Sequence, residues 1–163
     1  MIILEYHKFG VEVDEYPWSR TYQQFAEDLG KPIDYIRMDD GWKSQIPACQ
    51  MAKNMGHKVH LGITVDFIGR PDYMTWDDVM DLARDHIICN HTIYHNHLDD
   101  KTEEQIYNEL RVANGVLAKI SGQKILYYCP TYNFINDKIK RACKRLGLTI
   151  LDPVLPVSNN MVL

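Results

Sequence analysis

Short runs rich in Ile, Leu, Val and Tyr alternate with longer amphipathic stretches along the whole chain. The runs are too short for helices and predict strands at 2–6, 33–38, 58–65, 86–89, 124–128 and 148–151. Between them, apolar residues at helical spacing predict helices over 22–29, 45–55 and 135–146, and two more that begin after Thr75 and Thr102. This alternation favours a mostly parallel sheet with crossover helices, either an open doubly wound sheet or a barrel.

Composition limits the class of protein and of partner. The chain has 163 residues, of which 45% are hydrophobic, which predicts a single globular domain over 1–163. It has 18 Lys and Arg against 22 Asp and Glu, a net charge of -4 and no basic block, so we expect no nucleic-acid partner. No apolar run approaches the roughly 20 residues of a membrane span.

The N-terminus and the cysteines bear on the cellular compartment. The chain reaches Glu5 and His7 without the long apolar region of a signal peptide, so we expect a cytoplasmic location. The four cysteines lie far apart and form no CxxC pair. They therefore predict neither a disulfide framework nor a thiolate zinc site.

Polar residues that could carry chemistry follow several predicted strands. Both candidate architectures place their active sites at this edge of the sheet. Loops are polar in general, which accounts for Asp66 and Asp152 taken singly. It does not account for two denser groups, Asp39-Asp40-Gly41 and the stretch 91–97, which contains three histidines.

Asp39 and Asp40 are adjacent carboxylates that repel one another unless they share a cation or a proton. One of them can bind a metal while the other accepts a proton, and Gly41 permits a sharp turn after them. A solvated Asp-Asp-Gly turn is the competing interpretation, and the tripeptide alone favours it.

His91 and His95 are four residues apart. On a helical turn this spacing brings their Cβ atoms within about 5–6 Å, so that both imidazoles reach one divalent ion. Asp40 would add a carboxylate from another strand end, which gives an open, catalytic site. The residue after His91 is not the glutamate of an HExxH protease. A structural zinc site made from the two histidines with Cys89 and His97 is the alternative.

Both groups resemble motifs of the polysaccharide deacetylase family, the NodB-homology domain of carbohydrate esterases. That family has Asp-Asp-Gly after one strand and His-Ser/Thr-x-x-His after a later one; residues 37–42 and 90–98 stand in these places. Residues 52–59 are similar to the helix, glycine and strand between the motifs, and Tyr6-His7 with 22–29 is similar to the family's lead-in. The resemblance implies a distorted, incomplete (β/α) barrel of about six mostly parallel strands.

The resemblance also implies an activity. It makes Asp39 the general base, and Asp40, His91 and His95 the ligands of one divalent metal, usually zinc. The implied reaction is hydrolysis of an N-acetyl, or less often O-acetyl, group on a sugar or polysaccharide by a metal-activated water. A backbone N–H near Tyr132 would help to bind the oxyanion.

The third motif departs from the family pattern. Residues 128–133 stand where the family has Arg-Pro-Pro-Tyr-Gly, so Pro130 and Tyr132 match while Cys129 replaces the arginine that positions the catalytic aspartate. Arg37 or Lys43 would have to substitute for it. We favour a small buried residue over a reactive thiol at Cys129.

The late motifs are poorer. Asp152 and Pro153 stand near the place of the family's Asp-and-Trp segment without the tryptophan, and the chain ends before the usual Leu-x-His. We therefore expect His7 or His97 to be the catalytic proton donor to the leaving amine.

Aromatic residues near the motifs are candidates for sugar binding. Trp42, Tyr94 and Tyr132, with Pro130, are predicted to line the substrate site, with core packing as the competing interpretation. The expected partner is an acetylated sugar or glycan, and the sequence is compatible with a homo-oligomer. A degenerate family member that binds metal and glycan without turnover is an alternative function, as is a metal hydrolase of a non-sugar amide. Retention of Asp39 favours catalysis.

Overall fold

The structure is a computed structural model that describes residues 3–10 and 19–151. Within these residues, one six-stranded parallel sheet has its strands in chain order and curls into a half-barrel. The strands are β1 (Ile3–Tyr6), β2 (Tyr35–Asp40), β3 (Val59–Ile63), β4 (Ile87–Asn90), β5 (Tyr127–Tyr128) and β6 (Thr149–Ile150). The predicted incomplete barrel of about six parallel strands is therefore confirmed.

In the described residues, five helices connect the strands and cover one face of the sheet. They are α1 (Tyr22–Leu29), α2 (Gln45–Asn54), α3 (Trp76–Leu82), α4 (Glu103–Ser121) and α5 (Asp137–Leu146). Alternate strand residues such as Met38, Leu61 and Ile88 pack against apolar helix residues in one continuous core. Because side chains alternate across a strand, the residues between them, such as Arg37 and Asp39, face the inside of the half-barrel.

The strand register aligns the ends that carry the predicted site. Asp39 pairs with Gly62 of β3, Asp40 pairs with Ile63, and Ile63 in turn pairs with Asn90 of β4. The carboxyl ends of β2, β3 and β4 therefore meet at one edge. This alignment brings the residues that follow β2 close to those that follow β4.

Local hydrogen bonds fix the helix ends, and some differ from the prediction. Thr21, Thr75 and Thr102 each form a capping box at the start of a helix. The helix predicted from residue 135 begins at Asp137, because the Asn136 side chain accepts a hydrogen bond from a backbone N–H in the first turn. The strand predicted over 58–65 ends at Ile63, where a short 3-10 turn over Val65–Phe67 follows closely.

Two predictions about the chain as a whole have a structural counterpart. Every cysteine is free and buried, in agreement with the absence of a disulfide framework. In the described parts of the chain, no helix combines the length and the apolar character that crossing a bilayer requires. The predictions that involve Asp152 and Pro153 lie outside the described residues.

Candidate metal centre and active site

The end of β2 presents two carboxylates to one place. Asp40 and Gly41 both have positive φ, at 77° and 87°, so the chain turns sharply directly after Asp39. Gln45 fixes this turn from α2, where its Nε2 donates to the carbonyl oxygens of His7 at 2.7 Å and Asp39 at 2.5 Å. Adjacent carboxylates are thereby held on the same side of the strand end.

The two histidines of the second motif lie in a loop and not on the helical turn that their spacing suggested. Thr92 and His95 have φ of 67° and 57°, which excludes an α-helical turn. The loop is closed by two bonds: Thr92 N–H donates to Asn90 Oδ1, and His95 N–H donates to Thr92 Oγ1, both at 2.9 Å. The imidazole rings of His91 and His95 nevertheless lie 4.9 Å apart.

Asp40, His91 and His95 converge as the sequence predicted. Asp40 Oδ1 lies 3.2 Å from His91 Nε2 and 3.2 Å from His95 Nε2, and the three ligand atoms lie within 4.8 Å of one another. Ligands bound to zinc at about 2.0–2.2 Å in a tetrahedron are separated by about 3.3–3.6 Å. Within the described residues, the buried Asp40 Oδ1 and His91 Nε2 have no hydrogen-bond partner. The donor set therefore fits a divalent metal.

Outer contacts orient these ligands. The Nδ1 of His91 lies 2.8 Å from the carbonyl oxygen of Cys129, so this nitrogen donates and the Nε2 lone pair is left for a metal. Trp42 Nε1 donates to Asp40 Oδ2 at 3.0 Å. Burial alone raises the pKa of Asp40, but the imidazoles of His91 and His95 beside its carboxylate hold that pKa well below its ordinary value. Asp40 is therefore ionised.

Asp39 is fully buried beside this centre. Arg37 Nε and Nη2 both donate to its Oδ2, at 2.9 and 2.6 Å, and His91 Nε2 lies 3.9 Å from the same oxygen. Burial raises the pKa of Asp39, but Arg37, His91 and His7 together outweigh burial and lower that pKa. Among the described residues, its Oδ1 has no hydrogen-bond partner. An ionised carboxylate with one oxygen available can accept a proton.

A second acidic group lies next to the first. Ligand atoms of Glu5, His7 and Asp39 also lie within 4.8 Å of one another. Arg37 Nη2 already lies 3.0 Å from Glu5 Oε1 and 2.6 Å from Asp39 Oδ2. Burial, with Asp39 nearby, raises the pKa of Glu5 to about 7. Because a guanidinium supplies the cation here, we assign no metal to this group.

The two predicted proton donors are placed differently. His7 Nε2 lies 3.9 Å from Asp40 Oδ2, and burial lowers the pKa of its imidazole. His97 is exposed and stacks on the ring of Tyr132, with centroids 3.7 Å apart. The structure thus brings His7 to the centre, and His97 to its rim.

The predicted sugar-binding residues differ in how exposed they are. Tyr132 and Tyr94 are 53% and 55% exposed, and Tyr132 donates through its hydroxyl to the carbonyl oxygen of His95 at 3.1 Å. Trp42 is half-buried, with its indole against Asp40. Pro130 is buried at the start of the 3-10 turn Thr131–Asn133, and its part in sugar binding stays a prediction.

Two aromatic residues near the site, Phe67 and Tyr73, were not predicted from the sequence. Phe67 and Tyr73 lie between β3 and α3, and Tyr73 stacks on Trp42 with centroids 4.2 Å apart. Phe67 contacts both Tyr73, at 4.9 Å, and His95, at 5.7 Å. The rings therefore form a continuous series of contacts from Trp42 to His95. Their loop follows the carboxyl end of β3, and this position is the sequence signal that could have predicted them.

The alternative structural zinc site is not formed. Cys89 packs with Cys129 and Leu151 inside the half-barrel, and its Sγ donates weakly to the carbonyl oxygen of Ile87. Neither Cys89 nor His97 belongs to a metal-competent group within the described parts of the chain.

The match to a family model decides the classification. Residues 26–151 match the family described as "Polysaccharide deacetylase". The chain belongs to the polysaccharide deacetylase family. Its resemblance to that family through the Asp-Asp-Gly and His-Thr-x-x-His motifs is thereby confirmed.

Two curated proteins are similar over part of the chain. Over 63 residues the chain is 40% identical to peptidoglycan-N-acetylmuramic acid deacetylase PdaA of Bacillus subtilis, a match covering 38% of this chain and 24% of PdaA. Over 64 residues it is 31% identical to a bifunctional xylanase/xylan deacetylase of Cellvibrio japonicus, covering 39% of this chain and 10% of that protein. The matches thus span a quarter or less of either relative.

A solved structure is similar in fold. The deacetylase PplD of Streptococcus pyogenes, in complex with acetate, superposes with a TM-score of 0.79 at 15% identity. The match covers 90% of this chain and 80% of PplD. It supports the same incomplete barrel for this chain.

Proposed function

We propose that this chain is a metal-dependent hydrolase that removes acetyl groups from a sugar or polysaccharide, with Asp39 as the general base. The observation that carries the proposal is the pair of adjacent carboxylates. Asp40 converges with the two histidines, whereas Asp39 lies beside them with Arg37 on one oxygen and the other oxygen available. A metal site that only stabilised the fold would need Asp40 but not Asp39.

Asp40, His91 and His95 would hold the metal, for which zinc fits best because two imidazoles and one carboxylate are ligands typical of catalytic zinc. When bound, the metal polarises the acetyl carbonyl and lowers the pKa of water. Asp39 Oδ1 would remove a proton as the water attacks. Its ionised form suits this role, and the neighbouring Arg37 balances its charge.

Two further groups would complete the reaction. A backbone N–H near Tyr132 would bind the developing oxyanion, since this turn lies against His95. His7 would donate a proton to the leaving amine, or to the leaving alcohol of an O-acetyl ester. Its proximity to Asp40 favours it over His97, whose ring is stacked on Tyr132.

The substrate would be an acetylated glycan. Exposed Tyr132 and Tyr94 offer rings on which a sugar can stack; the Tyr132 ring lies 4.8 Å from the ring of His95, and Tyr94 directly precedes His95 in the chain. The names of the two curated relatives include one N-acetylated and one xylan substrate. Both an acetamide and an acetyl ester are therefore reasonable targets.

A degenerate member that binds metal and glycan without turnover was the alternative function. That alternative depended on Cys129 in place of the family's arginine and on the absence of the usual late histidine. The contact of Arg37 with Asp39 removes the first reason, and His7 beside Asp40 is the proposed substitute for the late histidine, so catalysis is the function that we favour.

Acetate release tests the proposal. The zinc-loaded protein is incubated with N-acetylglucosamine oligomers and with acetylated xylan, and free acetate is measured before and after chelation and after zinc is returned. We expect release from at least one substrate, loss with the chelator and recovery with zinc. No release from either substrate by protein that contains one zinc ion per chain would contradict the proposal.

A further inference from the structure

Position 129, where the family resemblance expects an arginine beside the catalytic aspartate, holds a cysteine whose side chain carries no positive charge. We infer that Arg37 on β2 is the positioning residue for Asp39 and that Glu5 and Asn133 hold Arg37 in place. The inference rests on the proposed function, because Asp39 is the proposed base.

Arg37 fixes one oxygen of Asp39 and leaves the other available. Its Nε and Nη2 donate to the same Oδ2, at 2.9 and 2.6 Å. Two donors from one planar guanidinium restrict rotation of the carboxylate more than a single donor would. Arg37 is only 1% exposed, so it does not reach the substrate and acts through Asp39.

Two residues from other parts of the chain hold the guanidinium. Glu5 Oε1 on β1 lies 3.0 Å from Arg37 Nη2, and Asn133 Oδ1 accepts from the same nitrogen at 2.8 Å. Asn133 Nδ2 in turn donates to both carboxylate oxygens of Glu5, at 3.3 and 3.2 Å. The three side chains therefore form a closed set of hydrogen bonds around Asp39.

Asn133 connects this set to the turn that carries Tyr132. Both residues have positive φ, at 52° and 55°. Asparagine adopts this left-handed conformation more readily than most residues. The amide of Asn133 therefore ties the Tyr132 turn, which follows β5, to Arg37 on β2.

Cys129 packs beside Asp39, but its uncharged side chain cannot supply the positive charge that Arg37 supplies. An added Cβ at Gly62 would lie within 3.0 Å of both Asp39 Oδ1 and Cys129 Sγ, so both side chains pack over the same point of β3. On the other side of Asp39, Arg37 contacts Oδ2. The positive charge thus comes from β2, two residues before the base.

The test compares zinc-loaded Arg37→Lys and Arg37→Ala with the wild type. Arg84→Ala is the control, because the ion pair of Arg84 with Asp81 at 3.3 Å is exposed. We expect kcat for acetate release to fall about 100-fold in Arg37→Ala and less in Arg37→Lys, because misplacement of a catalytic group by about 1 Å has an effect of that size. KM and zinc content should stay within about twofold, since Arg37 contacts neither substrate nor the ligand atoms.

Rescue of kcat by added guanidinium ion distinguishes the loss of a positioning group from the loss of the fold. In the cavity of Arg37→Ala the ion should restore part of kcat, and it should have no such effect on Asp39→Asn. Asn133→Gly, which keeps the left-handed backbone without strain, should lower kcat in the same direction as Arg37→Lys. A kcat within about threefold of the wild type in both Arg37 variants would overturn the inference.

Crystal structures of the zinc-loaded wild type and Arg37→Lys separate this inference from the proposed function. We expect the Asp39 carboxylate to change position in the variant while the three ligands keep theirs. If it moves but the wild type releases no acetate from any glycan, the proposed function is wrong and the positioning role stands. If it does not move, the positioning role is wrong.

Discussion

Replacing Gly62 with alanine would push a methyl group into the space between Asp39 and Cys129. The added Cβ would lie within 3.0 Å of Asp39 Oδ1 and of Cys129 Sγ, and 3.1 Å from Cys129 Cβ. Ordinary contacts between such atoms are about 3.5–4.0 Å. The carboxylate would have to move by roughly 0.5–1 Å, against the two hydrogen bonds from Arg37 to its other oxygen.

Both stability and activity should respond. Inserting a methyl group into a packed interior costs about 1–3 kcal/mol. For a chain of this length each kcal/mol lowers the melting temperature by about 2–4 °C, so Gly62→Ala should melt about 2–12 °C lower. A displacement of the base by up to about 1 Å should reduce kcat for acetate release about 100-fold. The ligands Asp40, His91 and His95 lie beyond the clash, so zinc content should be unchanged.

Gly115→Ala is the matched control. Gly115 lies inside α4, and an added Cβ there meets nothing within 4 Å. It should raise stability by up to about 1 kcal/mol and leave activity alone. Differential scanning calorimetry, acetate release and zinc analysis on the three proteins make the comparison. A Gly62→Ala protein that melts with the wild type and keeps kcat within about threefold would refute the argument that Asp39 is packed against β3.

The remaining predictions concern Trp42, which contacts the proposed ligand Asp40, and the ionisation of Glu5. Trp42→Phe removes the N–H that donates to Asp40 Oδ2, and calorimetric titration should find zinc bound about 10–100-fold more weakly; unchanged affinity would remove Trp42 from the support of the site. Burial raises the pKa of Glu5 above its ordinary value of 4.5 to about 7. In the metal-free protein, Glu5 therefore contributes stability that is fully present below pH 4.5. This contribution is lost as the pH rises towards 7. Urea unfolding at pH 5 and pH 7.5 should accordingly show a smaller decrease in Glu5→Gln than in the wild type, and equal decreases would contradict the raised pKa.

The sequence could predict that Asp40, His91 and His95 come together, because short motifs at strand ends carry them. Asp40 follows β2 and His91 follows β4, and parallel strands in chain order bring these ends together whatever the details of the loops. The conformation of the histidine loop could not be predicted in the same way. Its two left-handed residues are Thr92 and His95; threonine rarely adopts that conformation, and most histidines do not adopt it either, so the sequence does not indicate it.

The sequence offers Arg37 and Lys43 as partners of Asp39, and strand alternation favours Arg37. Residues two apart on a strand share a face, which puts Arg37 beside Asp39, whereas Lys43 lies past the turn at Gly41 and is exposed. The part played by Asn133 could not be inferred, because its contact with Arg37 joins residues 96 positions apart. The contacts of Phe67 and Tyr73 likewise depend on a loop conformation that local sequence does not determine.

The central claim is that Asp39 acts in the reaction while the other three residues hold the metal. Zinc content and acetate release measured together on Asp39→Asn, with His91→Ala beside it, test this claim most directly. We predict about one zinc ion per chain and no acetate release in Asp39→Asn, because the amide cannot accept the proton but the ligands remain. We predict loss of both in His91→Ala. Acetate release by zinc-loaded Asp39→Asn at the wild-type rate would contradict the account.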